Sequence, residues 1–134
     1  RVFPRMHKKG MVFGVFDGLH EGHKHFLSEA AKGCDELVVV VAPSKTAGML
    51  KGRAPKRNFK ERAEAVAAFD PKFLVVSGDD AIGAWNVLET HRPDMVFLGY
   101  DQGGIAEELK RRGVPFTVLP PHFPERYKSE LLNA

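Results

Sequence analysis

The fold of this chain is decided by residues 11–25, which read Met-Val-Phe-Gly-Val-Phe-Asp-Gly-Leu-His-Glu-Gly-His-Lys-His. The apolar run 11–16 predicts a buried strand, and the glycine-containing turn after it predicts a helix from about 22 to 32. The first N–H groups of a helix have no intrahelical partners, and the helix dipole favours negative charge there. We therefore expect His20 and His23 to hold a phosphate, with Gly22 letting a bulky anion approach the backbone.

Length and composition favour one globular domain, which we place at 1–134 with residues 122–134 as a C-terminal tail. The chain has 134 residues, of which 43% are hydrophobic and 28% charged, the balance of a soluble protein rather than a disordered or fibrous one. The longest apolar run, Leu37 to Ala42, is too short to span a bilayer, and no leader-like segment precedes residue 11. The single Cys34 cannot form an internal disulfide. We expect a cytoplasmic protein that does not engage a membrane.

The basic residues are concentrated in one segment. The formal net charge is only +3, but residues 45–62 contain one acid, Glu61, against Lys45, Lys51, Arg53, Lys56, Arg57, Lys60 and Arg62. Such a concentration predicts a positive field facing an anion, although a charge run is often no more than a solvated surface. Nucleic-acid binding is not favoured, because the sequence lacks a basic face interleaved with aromatic residues.

The remaining sequence alternates between strand and helix patterns. Strands are predicted at 11–16, 37–42, 73–77, 94–98 and 114–119, helices at about 22–32, 58–69, 82–91 and 105–112, and a long basic loop at 44–57. Gly33 and Gly113 stand where left-handed helix caps are expected. The alternation predicts an α/β fold, a Rossmann-like three-layer domain with a mostly parallel five-stranded sheet of order 3-2-1-4-5. Ligands of such sheets bind where the strand order reverses, so Phe16 to His23 should face Gly99 to Gln102.

Two segments carry a resemblance to a known superfamily. Residues Gly14-Val-Phe-Asp-Gly-Leu-His-Glu-Gly-His23 resemble the His-x-Gly-His signature of the nucleotidyltransferases, in the form found in small cytidylyltransferases such as glycerol-3-phosphate cytidylyltransferase. Residues Leu98-Gly-Tyr-Asp-Gln102 resemble the strand-four motif of the archaeal FAD synthases. The resemblance runs in register from about residue 11 to residue 119.

The resemblance implies transfer of a nucleoside monophosphate from CTP or ATP to a phosphorylated acceptor, with release of pyrophosphate. His20, His23 and Lys51 are the implied catalytic residues, Lys45 and Arg53 are candidate phosphate contacts, and Mg²⁺ is the implied cofactor, with Asp17 as a possible outer ligand. A homodimer is a family expectation. The implied nucleotide-binding residues are Gly14, Val15, Phe16, Asp17, His20, Gly22, His23, Arg62, Gly99, Tyr100, Asp101, Gln102, Tyr127, Lys128 and Ser129.

Several alternatives remain open at this point. Adenylyl transfer to FMN, as in FAD synthases, uses the same phosphate machinery as cytidylyl transfer, and the strand-four motif leans toward it. A nucleotide-binding sensor without turnover is motivated by the tail, where the family's Ser/Thr-rich closing motif is reduced to Arg126-Tyr-Lys-Ser129. Zinc binding by Asp17, His20, His23 and His25 is weaker, because the spacing matches no common zinc site.

Overall fold

The computed structural model describes residues 7–79 and 85–120, apart from the side chains of Leu50 and Lys51. Five strands lie in this part of the chain: β1 (His7–Gly14), β2 (Cys34–Val41), β3 (Leu74–Ser77), β4 (Met95–Leu98) and β5 (Phe116–Val118). The helices between them are α1 (Glu21–Lys32), α2 (Ser44–Lys51), α3 (Phe59–Phe69), α4 (Asn86–His91) and α5 (Gly103–Arg112). The predicted C-terminal tail lies outside the described residues.

The strands form one parallel sheet of order β3-β2-β1-β4-β5, which confirms the predicted topology. β1 pairs with β2 along its length, from His7 opposite Cys34 to Gly14 opposite Val41. The register between β1 and β4 contains only Gly10 opposite Met95 and Met11 opposite Val96. The carboxyl ends of β1 and β4 are therefore not joined by the backbone ladder, and the reversal of strand order places the expected crevice there.

Apolar side chains cover the sheet on both faces. On one face Leu27 and Ala30 of α1 and Val66 of α3 pack with Val12 and Val39. On the other face Val87 and Leu88 of α4 and Leu109 of α5 pack with Met11 and Val38. Because successive residues of a strand point to opposite faces, the continuous apolar runs of β1 and β2 supply both cores. The result is the predicted three-layer arrangement.

Helix α2 corrects one prediction, since residues 44–57 were expected to form a loop. The segment Ser44–Lys51 contains Gly48 and follows Pro43, so its helical pattern is weak. Tertiary contacts stabilise it instead: Ala47 is fully buried, and the Thr46 hydroxyl donates to the carbonyl of Asp79 at 3.2 Å. Gly52 ends the helix in the left-handed conformation, with φ of 77°. The remaining loop is short.

The role predicted for Gly33 is also wrong, whereas that for Gly113 is confirmed. Gly33 ends α1 at φ −90°, a conformation open to any residue. A methyl group at Gly33 would lie 2.8 Å from the ring of Phe97. Glycine is needed there for space, because β2 begins at the next residue and brings the turn against β4. Gly113 does adopt the left-handed conformation, with φ of 70°.

Candidate active site

His20 and His23 cap the N-terminus of α1. His20 is the N-cap residue, and its Nδ1 accepts the backbone N–H groups of Gly22 at 3.1 Å and His23 at 3.4 Å. Nδ1 of His23 accepts the N–H of His20 at 3.3 Å, which completes a capping box built from two histidines. Because Nδ1 of each ring accepts a hydrogen bond, the proton of each neutral imidazole lies on Nε2. Both rings thus carry a donor on the nitrogen that the cap does not use.

The two imidazoles form a compact stack. Their centroids are 3.7 Å apart and their planes differ by 19°. The ring of Phe16 meets His23 edge-on at 5.4 Å and is only 3% exposed. Phe16 has φ of 53°, which turns the chain sharply after β1 and sends its ring back over Gly14. A non-glycine residue held at positive φ often marks a functional site, and here it positions the histidine pair.

Asp17 holds the end of the basic segment against the histidine motif. Its two carboxylate oxygens accept the backbone N–H groups of Lys56 at 2.8 Å and Arg57 at 3.0 Å. These two hydrogen bonds, first Lys56 and then Arg57, lower the pKa of Asp17 below its ordinary value. The carboxylate expected to be an outer metal ligand therefore fixes a loop in this structure.

Arg62 departs from its predicted place over the nucleotide phosphates. Its side chain is fully buried, and its guanidinium donates to the carbonyls of Val15 at 3.0 Å, Ala42 at 2.7 Å and Arg57 at 3.0 Å. A fourth bond of 3.0 Å reaches the hydroxyl of Ser44. Burial lowers the pKa of Arg62, and the charge of Asp17 opposes that shift. Arg62 therefore binds the protein's own loop ends, and phosphate contact by its guanidinium is not compatible with this arrangement.

Gln102 also has a different position from the one expected of a base-reading residue. Its amide nitrogen donates to the carbonyl of Phe13 at 2.8 Å, and its amide oxygen accepts the N–H of Gly99 at 2.8 Å. The side chain thereby joins the ends of β1 and β4 where the ladder has stopped. Tyr100, by contrast, is 66% exposed and Asp101 is exposed at the same end of the sheet. A methyl group at Gly99 would lie 3.1 Å from the carboxylate of Asp101.

The structure brings together only part of the predicted site. Gly14, Val15, Phe16, Asp17, His20, Gly22 and His23 lie at the β1–α1 junction, and Gly99 to Gln102 lie opposite them. Lys45 and Arg53 are exposed on α2 and on the loop after it. The side chain of Lys51, and all of Tyr127, Lys128 and Ser129, fall outside the described residues. Arg57 was not singled out from the sequence, although its place next to the capping residue Asn58 could have drawn attention to it.

The described residues contain neither a metal-ligand cluster nor a helix that could cross a membrane. Within 7–79 and 85–120, no three His, Cys, Asp or Glu side chains are grouped so that they could hold a metal ion. The zinc alternative thus finds no ligand cluster in this part of the chain. The same residues contain no helix long and apolar enough to cross a membrane.

The matched family agrees with this geometry. Residues 11–114 match the profile of the cytidylyltransferase-like family, a span that includes the histidine pair, the basic segment and the end of β4. The chain belongs to the cytidylyltransferase-like family. It is a nucleotidyltransferase, and its five-stranded parallel sheet with flanking helices is a Rossmann-like fold.

Similar proteins with known names indicate which branch of the family this chain resembles. The chain is 39% identical to the FAD synthase of Thermococcus sibiricus over 122 residues, covering 88% of this chain and 81% of that protein. It is 43% identical to the FAD synthase of Aciduliprofundum boonei over 115 residues, covering 81% and 74%. A lipopolysaccharide core biosynthesis protein of Thermoplasma volcanium superposes with a TM-score of 0.72 at 29% identity, covering 88% of this chain and 98% of that one. The comparisons favour the FAD-synthase alternative over cytidylyl transfer.

Proposed function

We propose that this chain transfers AMP from ATP to FMN, forming FAD and releasing pyrophosphate. The observation that carries the proposal is the stacked pair of His20 and His23 at the start of α1, beside the open ends of β1 and β4. Similarity to FAD synthases over most of their length supports ATP and FMN as the substrates. The motif Gly99-Tyr-Asp-Gln102 supports the same branch of the family.

The proposed reaction is a single in-line displacement. A phosphate oxygen of FMN attacks the α-phosphorus of ATP, the bond from that phosphorus to the bridging oxygen breaks, and the electron pair leaves with pyrophosphate. Negative charge builds on the oxygens around the α-phosphorus, so donors aimed at these oxygens accelerate the step. The Nε2–H groups of His20 and His23 supply two donors, and the N-terminal dipole of α1 adds to them.

The remaining site residues are proposed from the resemblance, together with the position of those that the structure describes. Lys45 on α2 and Arg53 on the loop after it are exposed, and with Lys51 they are the proposed cationic contacts to the β- and γ-phosphates. The backbone of 14–17 and Gly22 borders the triphosphate, and Gly99, Tyr100 and Asp101 border the base and ribose. Tyr127, Lys128 and Ser129 are predicted from the resemblance to close over the phosphates.

The chemistry of the described side chains fits a Mg²⁺ ion held mainly by the substrate. Mg²⁺ commonly keeps several waters and binds one or two carboxylates together with phosphate oxygens. Both oxygens of Asp17 already accept backbone N–H groups, so phosphate oxygens and water would supply most of the ligands of such an ion. When bound, the ion would supply charge neutralisation on the triphosphate.

Location and assembly remain predictions. The only cysteine of the sequence, Cys34, is buried and forms no disulfide, which is consistent with the reducing cytoplasm. A homodimer is expected from the resemblance, and sedimentation of the purified protein tests it.

The proposed function is tested by assaying each nucleotide with each acceptor. ATP and CTP are each incubated with FMN or glycerol 3-phosphate and Mg²⁺, and both pyrophosphate and FAD are measured. We expect FAD and pyrophosphate only from ATP with FMN. Release of pyrophosphate from CTP with glycerol 3-phosphate, and none with FMN, would instead support cytidylyl transfer to glycerol 3-phosphate. Nucleotide binding without pyrophosphate from any pair would indicate a sensor.

A further inference from the structure

An open cleft between α1 and α3 adjoins the histidine motif on the side away from β4. Its volume, open to solvent along one side, is about 840 Å³, and it begins at Gly18, two residues before His20. Its lining combines two cations, Lys24 and Arg57, with an apolar wall and two carboxylates: Leu19, Ala65, Ala68, Phe69, Glu61 and Glu64. The cations lie at the end nearest the histidines, because Gly18 precedes α1 and Lys24 is one helical turn after His20.

Arg57 is held at this end by two neighbours, the carboxylate of Asp17 and the backbone of Gly18. Asp17 accepts its backbone N–H at 3.0 Å and that of Lys56 at 2.8 Å, which fixes the direction in which the Arg57 side chain leaves the loop. Gly18 has φ of 85°, and a methyl group there would lie 2.8 Å from Nη1 and 3.4 Å from Cζ of Arg57. The guanidinium therefore lies directly on the backbone of Gly18 in space that any side chain at that position would occupy.

The same end of the cleft carries a second cation on the helix face of His20. Residues four apart on a helix are neighbours on its surface, so Lys24 lies below His20 on α1. Lys24 forms a weak ion pair at 3.9 Å with the largely exposed Glu21, and a stronger anion can replace that carboxylate. Glu61 is turned to its own helix, where its carboxylate accepts the N–H of Asn58 at 3.1 Å.

We propose that Arg57, placed by Asp17 and Gly18 and assisted by Lys24, binds the phosphate of the acceptor in this cleft. The proposal rests on the proposed function and names the acceptor as a phosphate monoester carrying a flat, partly apolar body, of which FMN is the example. The nucleotide lies toward β4 and the acceptor toward α3, so the two substrates approach the histidine pair from opposite sides. A fork of guanidinium donors suits a phosphate better than a single ammonium group does.

Flavin binding to the whole chain tests this subsite. The protein is titrated into FMN, and separately into riboflavin, which lacks the phosphate, and the fluorescence of the flavin is measured. Arg57→Ala should weaken FMN binding about 10- to 100-fold, the usual size of a lost charged hydrogen bond, and leave riboflavin binding within about twofold. Lys56→Ala is the matched control, since it removes a neighbouring exposed cation held by the same carboxylate but outside the cleft. It should leave both affinities nearly unchanged.

The role of Asp17 is tested by a double-mutant cycle. Asp17→Ala should raise KM for FMN more than KM for ATP, because it releases the loop that carries Arg57. Adding Asp17→Ala to Arg57→Ala should then have little further effect on KM for FMN, whereas two independent contributions would multiply. Arg57→Lys should restore part of the affinity.

The outcomes separate the two proposals. A wild-type chain that binds FMN and makes FAD, with an Arg57→Ala variant that matches it in both flavin titrations, would overturn the subsite and leave the function standing. A wild-type chain that neither binds FMN nor releases pyrophosphate would remove the function and the subsite with it. Equal weakening of FMN and riboflavin in Arg57→Ala would also overturn the subsite, because the lost contact would then not be to phosphate.

Discussion

The side-chain amide of Gln102 donates to the carbonyl of Phe13 at 2.8 Å and so joins β1 to β4 beyond their last backbone pair. Gln102→Glu keeps an acceptor for Gly99 but places a carboxylate oxygen opposite that carbonyl. We expect the free energy of unfolding to fall by about 1–3 kcal/mol, since a buried acceptor loses its donor. The KM for ATP should stay close to that of wild type, because Phe13 and Gly99 already occupy the amide. A clearly raised KM for ATP would instead indicate that the amide contacts the base.

The histidine pair caps α1 and is proposed to donate hydrogen bonds in the transition state, and conservative variants separate these two roles. His20→Asn retains a good N-cap, and His23→Gln retains a residue able to reach back to the cap. We expect urea unfolding within about 0.5 kcal/mol of wild type and turnover at least about 100-fold lower, the usual loss for one transition-state donor. His20→Ala is the comparison, because it should lose about 1 kcal/mol of stability as well. Near-normal turnover in His20→Asn and His23→Gln would remove the proposed donors.

Arg62 should matter for stability more than any exposed cation of the same segment. Arg62→Met leaves the carbonyls of Val15 and Ala42 without this donor, and we expect the free energy of unfolding to fall by about 3 kcal/mol or more. Arg53→Ala is the control, since an exposed side chain should change stability by no more than about 0.5 kcal/mol. Chemical denaturation of both variants measures the difference. Equal stability of Arg62→Met and wild type would show that the four hydrogen bonds contribute nothing net.

Asp17 predicts a specific pH dependence of stability. Its pKa is lowered by the N–H groups of Lys56 and Arg57, so its charged form is favoured in the folded state. Its contribution is complete above the ordinary aspartate pKa of about 3.9 and is lost as pH falls through the lowered value. The difference in unfolding free energy between wild type and Asp17→Asn should therefore be largest near neutral pH and shrink toward pH about 3. A difference that stays constant over this range would contradict the assignment.

Two helix-ending glycines should respond differently to the same substitution. Gly33→Ala should be destabilising by about 1–3 kcal/mol through overpacking, because the new methyl group meets the ring of Phe97. Replacing that ring with a smaller side chain, Phe97→Leu, should recover part of the lost stability. Gly113→Ala should cost about 1 kcal/mol through its left-handed backbone, and nothing lies within 4 Å of the new methyl group to be relieved. Thermal unfolding of the two variants, each with and without Phe97→Leu, distinguishes space from conformation.

The sequence predicted the features that depend on local patterns. The apolar runs of β1 and β2, the turn into α1 and the capping box Asn58–Glu61 are visible as residue patterns, and the strand order follows from their alternation. Helix α2 was missed because contacts from Arg62 and Asp79, distant in sequence, stabilise a weak helix former.

Contacts between residues distant in sequence also explain which site residues were predicted wrongly. Gln102 and Arg62 carry polar groups that suit substrate recognition, and sequence alone does not reveal that backbone carbonyls of Phe13, Val15 and Ala42 already occupy them. His20 and His23 were placed well because their position depends only on where α1 begins. The start of α1 could be predicted from local residues, whereas the left-handed conformation expected of Gly33 and the directions of the Arg62 and Gln102 side chains could not.

The buried guanidinium of Arg62 also limits how proteins of this design can diversify. The guanidinium of Arg62 hydrogen-bonds to the chain after β1, after β2 and before α3. An insertion at any of these three points would therefore disturb the other two. The stretch from Gly52 to Pro55 receives no such tether from that group. Insertions and deletions are therefore expected to be tolerated in that stretch, while the three bound ends keep their length.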